Sequence, residues 1–194
     1  VSIVVVRESN ELVEENRDVS TLNLHGMQEE LIEAIQKTGT PVVCVLLNGR
    51  PLSVNWINDN IPAIVEGWFP GEAGGRAVAD VLFGDYNPGG KLPITFPKSV
   101  GQLPIYYNQK PSAIHRYVEE SENPLYTFGH GLSYTTFEYA NLALNTKKIK
   151  TAGEIKVSID VKNTGNYDGD EVVQLYINDV YSSVTTPFKT LKGF

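Results

Sequence analysis

Two uninterrupted β-branched runs, Ser2-Ile3-Val4-Val5-Val6 and residues 41–47, constrain this chain more than anything else in it. Runs without polar alternation suit strands covered on both faces, and such strands belong to parallel sheets whose crossovers lay helices against them. Between the runs, Met27, Leu31, Ile32 and Ile35 recur at helical spacing in a Glu-rich stretch, with Lys37 near its end and Gly39 as its stop. Strand, helix and strand make a βαβ unit. Residues 51–60 read as a short amphipathic helix and 63–68 as a third strand. Residues 71–83 read as a helix with Ala77, Val78, Val81 and Leu82 on one side. The expected fold class is α/β, a layered sandwich with a mostly parallel sheet.

The texture then changes twice. Residues 86–134 are rich in Gly, Pro and Tyr without sustained periodicity, the mark of a long irregular segment that wraps or connects. Beyond about residue 136 the alternation has period 2: residues 139–144, 154–163 with Ile155, Val157, Ile159 and Val161 on one face, and 171–178 with Val173, Leu175 and Ile177. These read as antiparallel strands of a sandwich. A complete immunoglobulin-like sandwich needs about seven strands and ~100 residues, so an incomplete one is expected here.

Sixteen basic against 23 acidic side chains leave a net charge of −7, which supplies no basic field for nucleic acid or anionic lipid. No apolar run approaches the ~20 residues of a membrane span. The single cysteine, Cys44, sits in Val42-Val43-Cys44-Val45-Leu46-Leu47 and reads as a buried thiol; His25, His115 and His130 are too scattered for metal-ligand spacing. No cofactor is indicated. Because the chain opens on Val1 inside a strand-like run and closes on Phe194 without punctuation, it reads as a piece of a longer protein.

Four segments hold residues suited to chemistry or binding. The stretch after the first strand, 7–18, places Glu8, Glu11, Glu14, Glu15 and Asp18 beyond the carboxyl end of a parallel strand, the edge at which open α/β sheets bind ligands. A carboxyl group there can serve as a general acid when its surroundings raise its pKa; a solvated acidic loop is the plainer reading of the same composition. Trp68-Phe69-Pro70-Gly71-Glu72-Ala73-Gly74-Gly75 leads a strand into a Gly-rich helix start but lacks the Lys-Ser/Thr of a P-loop, so close packing explains its glycines better than phosphate binding. The run Gly84 through Pro93 is a chain of turn signals. Pro124 through Tyr134 mixes aromatics with glycines, fit either to face a sugar or to pack between two domains.

Taken in order, Asn48-Gly49-Arg50-Pro51, Trp68-Phe69-Pro70-Gly71-Glu72 with Gly74-Gly75, Ala79-Asp80-Val81-Leu82-Phe83-Gly84-Asp85-Tyr86-Asn87-Pro88-Gly89-Gly90-Lys91-Leu92-Pro93 and Phe128-Gly129-His130-Gly131-Leu132-Ser133-Tyr134 resemble glycoside hydrolase family 3, in its β-glucosidase and β-xylosidase branch. The resemblance implies an α/β sandwich domain over 1–135. It also implies the N-terminal part of a fibronectin type III-like domain over 136–194, a truncated all-β sandwich to which Glu171-Val172-Val173-Gln174-Leu175-Tyr176 and Leu191-Lys192-Gly193-Phe194 are similar. It implies a retaining β-glycosidase that acts on terminal β-linked sugars of an oligosaccharide or glycoside and is periplasmic or secreted. The missing N-terminal (β/α)8 barrel would carry the nucleophilic aspartate. Asp80 and Asp85 are not given that role.

Family members place the acid/base glutamate in a variable loop of the sandwich domain, and Glu15-Asn16-Arg17-Asp18 is the best match, giving Glu15. Glu14 stands where glycine is usual and Val19 where arginine often follows, so Glu14 and Glu8 remain alternatives on the same loop. The alternative function is a non-catalytic carbohydrate-binding or interaction module sharing the fold.

Overall fold

A computed structural model describes residues 1–111 and 116–194; His115 lies outside them. Its first region is built on β1 (Ser2–Arg7), β2 (Val42–Leu47) and β3 (Ala63–Glu66), a parallel sheet in the order β1-β2-β3. Register runs from Ser2 opposite Val42 to Arg7 opposite Leu47, and from Val43 opposite Ala63 to Leu46 opposite Glu66. The carboxyl ends of all three strands therefore reach one edge together. A four-residue helix, α1 (Asn10–Val13), follows β1, and α2 (Gln28–Gln36) is the crossover to β2. Next come α3 (Asn55–Asn60) and α4 (Gly74–Phe83), with β3 between them.

The core lies on the face of the sheet that α2 and α3 cover. Val4 and Val6 of β1, Val42, Cys44 and Leu46 of β2, Ile32 of α2 and Ile57 of α3 are buried together with Leu52, Val54 and Ile61. Central β2 is covered most fully, as a β-branched run in the middle of a sheet requires. Strand β1 departs from expectation: Ile3 and Val5 face away from the core and are exposed, so this run has one covered face. In α2, Ile32 and Ile35 pack inward while Met27 and Leu31 stay exposed, narrowing the expected apolar stripe. Helix α4 stops where Gly84 adopts φ 83°, a left-handed conformation that costs glycine least, and its N–H bonds back to the Val81 carbonyl.

Residues 84–136 run mostly as irregular chain, with a 3-10 turn at Val100–Gln102 and an antiparallel bridge between Phe96 and Tyr126. Phe96 is buried at its centre, with Trp68 and Tyr126 edge-on to its ring at 5.6 and 5.9 Å. Beyond it, β4 (Phe137–Leu144) pairs antiparallel with β5 (Val157–Asn163), and β6 (Leu175–Ile177) with β7 (Thr190–Gly193). The alternating segment thus forms two separate pairs, in which β4 begins two residues before the expected 139–144 while β5 and β6 are shorter than the expected 154–163 and 171–178.

The two glycine-rich motifs of the middle segment form the seam between these regions. The Asn87 side chain donates to the Asp168 carbonyl (2.8 Å) and accepts from the Ser133 hydroxyl (2.9 Å) and the Tyr134 N–H (2.8 Å). Lys91 donates to the Gly131 carbonyl at 3.0 Å and pairs with Glu171 at 3.2 Å. Close approach explains Gly131, where a Cβ would lie 2.2 Å from the Gly90 carbonyl oxygen. Aromatic faces of the 124–134 segment are turned on other rings of the chain: Tyr126 stacks on His130 within the segment and Phe128 on Tyr107 outside it, with centroids 5.1 and 4.4 Å apart.

Candidate active site

Three chain segments leave the carboxyl edge of the sheet side by side. Glu8 follows β1, Asn48-Gly49-Arg50 follows β2, and Glu66-Gly67-Trp68 ends β3. The ladder carries the pairing past the strands, since Glu8 donates its N–H to the Leu47 carbonyl (3.1 Å) and Gly67 to that of Leu46 (2.9 Å). The stem of the acidic loop is closed on its other side by Gln28, whose side-chain amide accepts from the Arg7 N–H (2.8 Å) and donates to the Arg7 carbonyl (3.0 Å).

The three candidate glutamates occupy different surroundings. Glu8 is buried at 2 % exposure; one carboxylate oxygen accepts the Gly49 N–H at 3.0 Å and the other lies 3.1 Å from Arg50 Nε in an ion pair. Only the oxygen facing Gly49 accepts a hydrogen bond, so the ion pair with Arg50 is what compensates the burial of the other. Glu14 and Glu15 sit past α1 on an exposed turn, in which the Arg17 N–H bonds to the Glu14 carbonyl (3.1 Å) and Asn16 takes φ 62°, a conformation asparagine tolerates well. Arg17 reaches Glu14 at 4.0 Å across open surface, an arrangement of little energetic weight. Glu15 is exposed on the same turn and forms no ion pair among the described residues.

A second layer of polar groups, absent from the sequence-based reading, lies behind this loop. Glu66 accepts the Trp68 N–H (2.9 Å) and the Asn48 side-chain amide (3.3 Å), and burial, reinforced by the charge of Glu8, pushes its carboxyl up to about 7 against those two bonds. The oxygen of the fully buried Asn48 amide has no hydrogen-bond partner among the described residues. Burial also pushes the Cys44 thiol up to about 12, with the Glu66 charge adding to it, so Cys44 is a core side chain and no nucleophile.

Trp68 takes φ 50°, a strained conformation for a large side chain, held by the Glu66 bond and by its edge contact with Phe96. A Cβ on Gly49 would come within 2.7 Å of the Phe69 ring and 3.4 Å of Val13, so glycine there lets the aromatic loop and α1 close on the β2 end. In the Trp68–Gly75 segment, Gly74 serves packing, since its Cβ would strike Pro70 at 2.4 Å, whereas nothing crowds Gly75. The signal for this layer was present in the Asn48-Gly49-Arg50-Pro51 motif, but pairing between residues so far apart in sequence appears only with the register of the sheet.

An edge lined with carboxylates on an α/β scaffold of this topology defines a class, and comparison with known proteins identifies the family. The model of the glycosyl hydrolase family 3 C-terminal domain matches residues 1–134, and the chain belongs to that family. It is 50% identical over 99% of its length to a beta-xylosidase of Formosa agariphila, and 44% identical over 100% to a periplasmic beta-glucosidase of Salmonella typhimurium; in each it spans 27% of the relative. Among solved structures, a beta-glucosidase from Listeria innocua in complex with glucose superimposes with a TM-score of 0.93 at 36% identity, over 99% of this chain and 28% of that one. The chain thus covers about a quarter of the length of the relatives it matches.

Proposed function

We propose that this chain is the C-terminal portion of a retaining β-glycosidase, a β-glucosidase or a β-xylosidase, and that it supplies the acid/base carboxyl, Glu15, while the nucleophile comes from an N-terminal barrel outside the chain. On this reading residues 136–194 begin a fibronectin type III-like domain, and the whole enzyme is periplasmic or secreted, as the name of the Salmonella relative suggests for that protein. The observation that carries the assignment of Glu15 is the contrast within the acidic loop. Glu8 is spent on Arg50 and Gly49, whereas Glu15 is exposed on the turn that follows α1, in the loop leaving the edge where open α/β sheets bind ligands, and the likeness of Glu15-Asn16-Arg17-Asp18 to the family's loop favours it over the equally exposed Glu14.

In the first step the nucleophile's carboxylate bonds to the anomeric carbon as the glycosidic C–O bond breaks, and the Glu15 proton passes to the departing oxygen. In the second, ionised Glu15 takes a proton from a water whose oxygen bonds to the anomeric carbon and releases the nucleophile. Burial beneath the barrel and a sugar would raise the Glu15 pKa enough to hold the first proton.

The test uses the complete enzyme. Glu15→Ala is expected to slow glycosides with poor leaving groups about 100-fold or more, while 2,4-dinitrophenyl glycosides form the glycosyl-enzyme nearly unimpeded. Azide should restore turnover and yield a β-glycosyl azide. Near-normal rates for Glu15→Ala, with the same signature in Glu14→Ala or Glu8→Ala, would move the role along the loop.

A further inference from the structure

The loop that carries Glu15 has little to hold it from within. Helix α1 is only four residues long and has no side-chain cap at its start, and the one ion pair on the turn, Glu14 with Arg17, is exposed. Gln28 holds the loop's stem at Arg7, and beyond the stem its side-chain attachment to the scaffold is made by Arg50, three residues past the end of β2. The Arg50 guanidinium donates to the Leu12 carbonyl inside α1 while its Nε lies 3.1 Å from the buried carboxylate of Glu8. Glu8 is in turn fixed by the Gly49 N–H, and Val13 and Phe69 both close on Gly49. The Glu8 side chain is 1% exposed and that of Arg50 23%, so their ion pair lies in a medium less polar than water, where the attraction of opposite charges gains strength, although Glu8 Oε1 faces Arg50 without hydrogen-bond geometry.

We infer that Arg50 is a positioning residue: through Leu12 and Glu8 it fixes the loop three residues upstream of Glu15 and so sets where the acid/base carboxyl meets the glycosidic oxygen. This rests on Glu15 being that carboxyl. The geometry calls for arginine in particular. A planar fork can bond a carbonyl and a carboxylate at once, whereas the single ammonium of lysine reaches one of them. Misplacement of a catalytic group by about 1 Å can cost ~100-fold in rate, and the loss falls on the step that needs the group.

The experiment compares Arg50→Lys with wild type in the complete enzyme across a series of aryl and alkyl β-glycosides. The expected result is a loss of about 10- to 100-fold in kcat/KM for poor leaving groups and less than about threefold for 2,4-dinitrophenyl glycosides. A merely structural role lowers the folded fraction and reduces all substrates by one factor, which would overturn the inference. Glu8→Gln, which keeps the shape of the clamp and removes its charge, is expected to show the same selective loss in weaker form and serves if Arg50→Lys does not fold.

The double variant Arg50→Lys with Glu15→Ala should be no slower than Glu15→Ala alone, because two residues acting through one carboxyl are not additive. A further loss on poor leaving groups in that background would overturn the inference. If Glu15→Ala lacks the leaving-group signature, the acid/base assignment falls and this inference with it. If Glu15→Ala shows it and Arg50→Lys with Glu8→Gln do not, the positioning role alone falls.

Discussion

The parallel sheet and the two antiparallel pairs both carry large apolar side chains, yet they bury them to opposite extents. In β2 four of six residues are buried, whereas no residue of β4, β5, β6 or β7 is, and β4 exposes every residue after Phe137. Backbone hydrogen bonds define the strands of both regions, so the difference is one of packing: helices α2 and α3 lie on the parallel sheet, and no helix lies on the later pairs among the described residues. Strand pairing alone contributes little net stability, because each bond made replaces one to water; apolar area removed from water contributes most. The first region is therefore expected to hold the edge that carries the site rigidly, and the second to depend on its seam.

The largest effect should come from the core of the first region. Ile57→Ala empties a fully buried position beneath the sheet, and a loss of about 2–5 kcal/mol in urea unfolding is expected. A loss under 1 kcal/mol would mean that α3 is not part of one cooperative unit with β2. Next is the seam. Asn87→Ala removes three hydrogen bonds that join the turn after α4 to residues 133, 134 and 168, and should cost about 1–3 kcal/mol. It should also raise amide exchange around β5 and β6 before it affects β2; equal acceleration in both regions would erase the distinction drawn between them.

A smaller effect separates the regions by pH. The folded-state pKa of Glu66, raised mainly by burial from 4.5 to about 7, means that between those values the folded chain holds a proton the unfolded chain has lost. Stability contributed by this group is complete below pH 4.5 and declines as pH rises through the window. Glu66→Gln removes the titration, so wild-type stability should fall by about 1 kcal/mol more than that of the variant between pH 5.5 and 6.5. Parallel pH curves for the two proteins would show that Glu66 is ionised throughout this window.

Much of the first region was legible because its signals are local. The runs at 2–6 and 41–47, the helical spacing of Ile32 and Ile35 and the glycine at 84 each act within a few residues and gave the βαβ order directly. What was not legible depends on contacts far apart in sequence. The bond of Arg50 to Leu12 and the bond of Asn48 to Glu66 exist because three strands end in register, which no window of sequence displays. Glu8 illustrates the cost: as a residue type it was one candidate acid among several, and only its ion pair with Arg50 and its burial distinguish it from Glu15. The exposure of Ile3 and Val5 was unreadable for a related reason, since a β-branched run does not say how many of its faces find a partner.

The smallest expected effect is the most direct measure of the contrast. Leu142 lies in β4 at 67% exposure, opposite in character to Ile57 at 0%, although both are large aliphatic side chains within regular elements. Leu142→Thr keeps strand propensity and shortens an exposed side chain, so a change within about 0.5 kcal/mol is expected in the 194-residue chain. Repeating the substitution in the complete polypeptide sharpens the result, because area that is open in one and covered in the other changes the cost by about 25 cal/mol for each Å2 of apolar surface. The same small value in both would show that β4 presents this face to water in the whole protein. A loss that grows toward that of Ile57→Ala would show that the antiparallel pairs are packed by residues outside this chain, and the difference between regions would then be a property of how much of the protein is present.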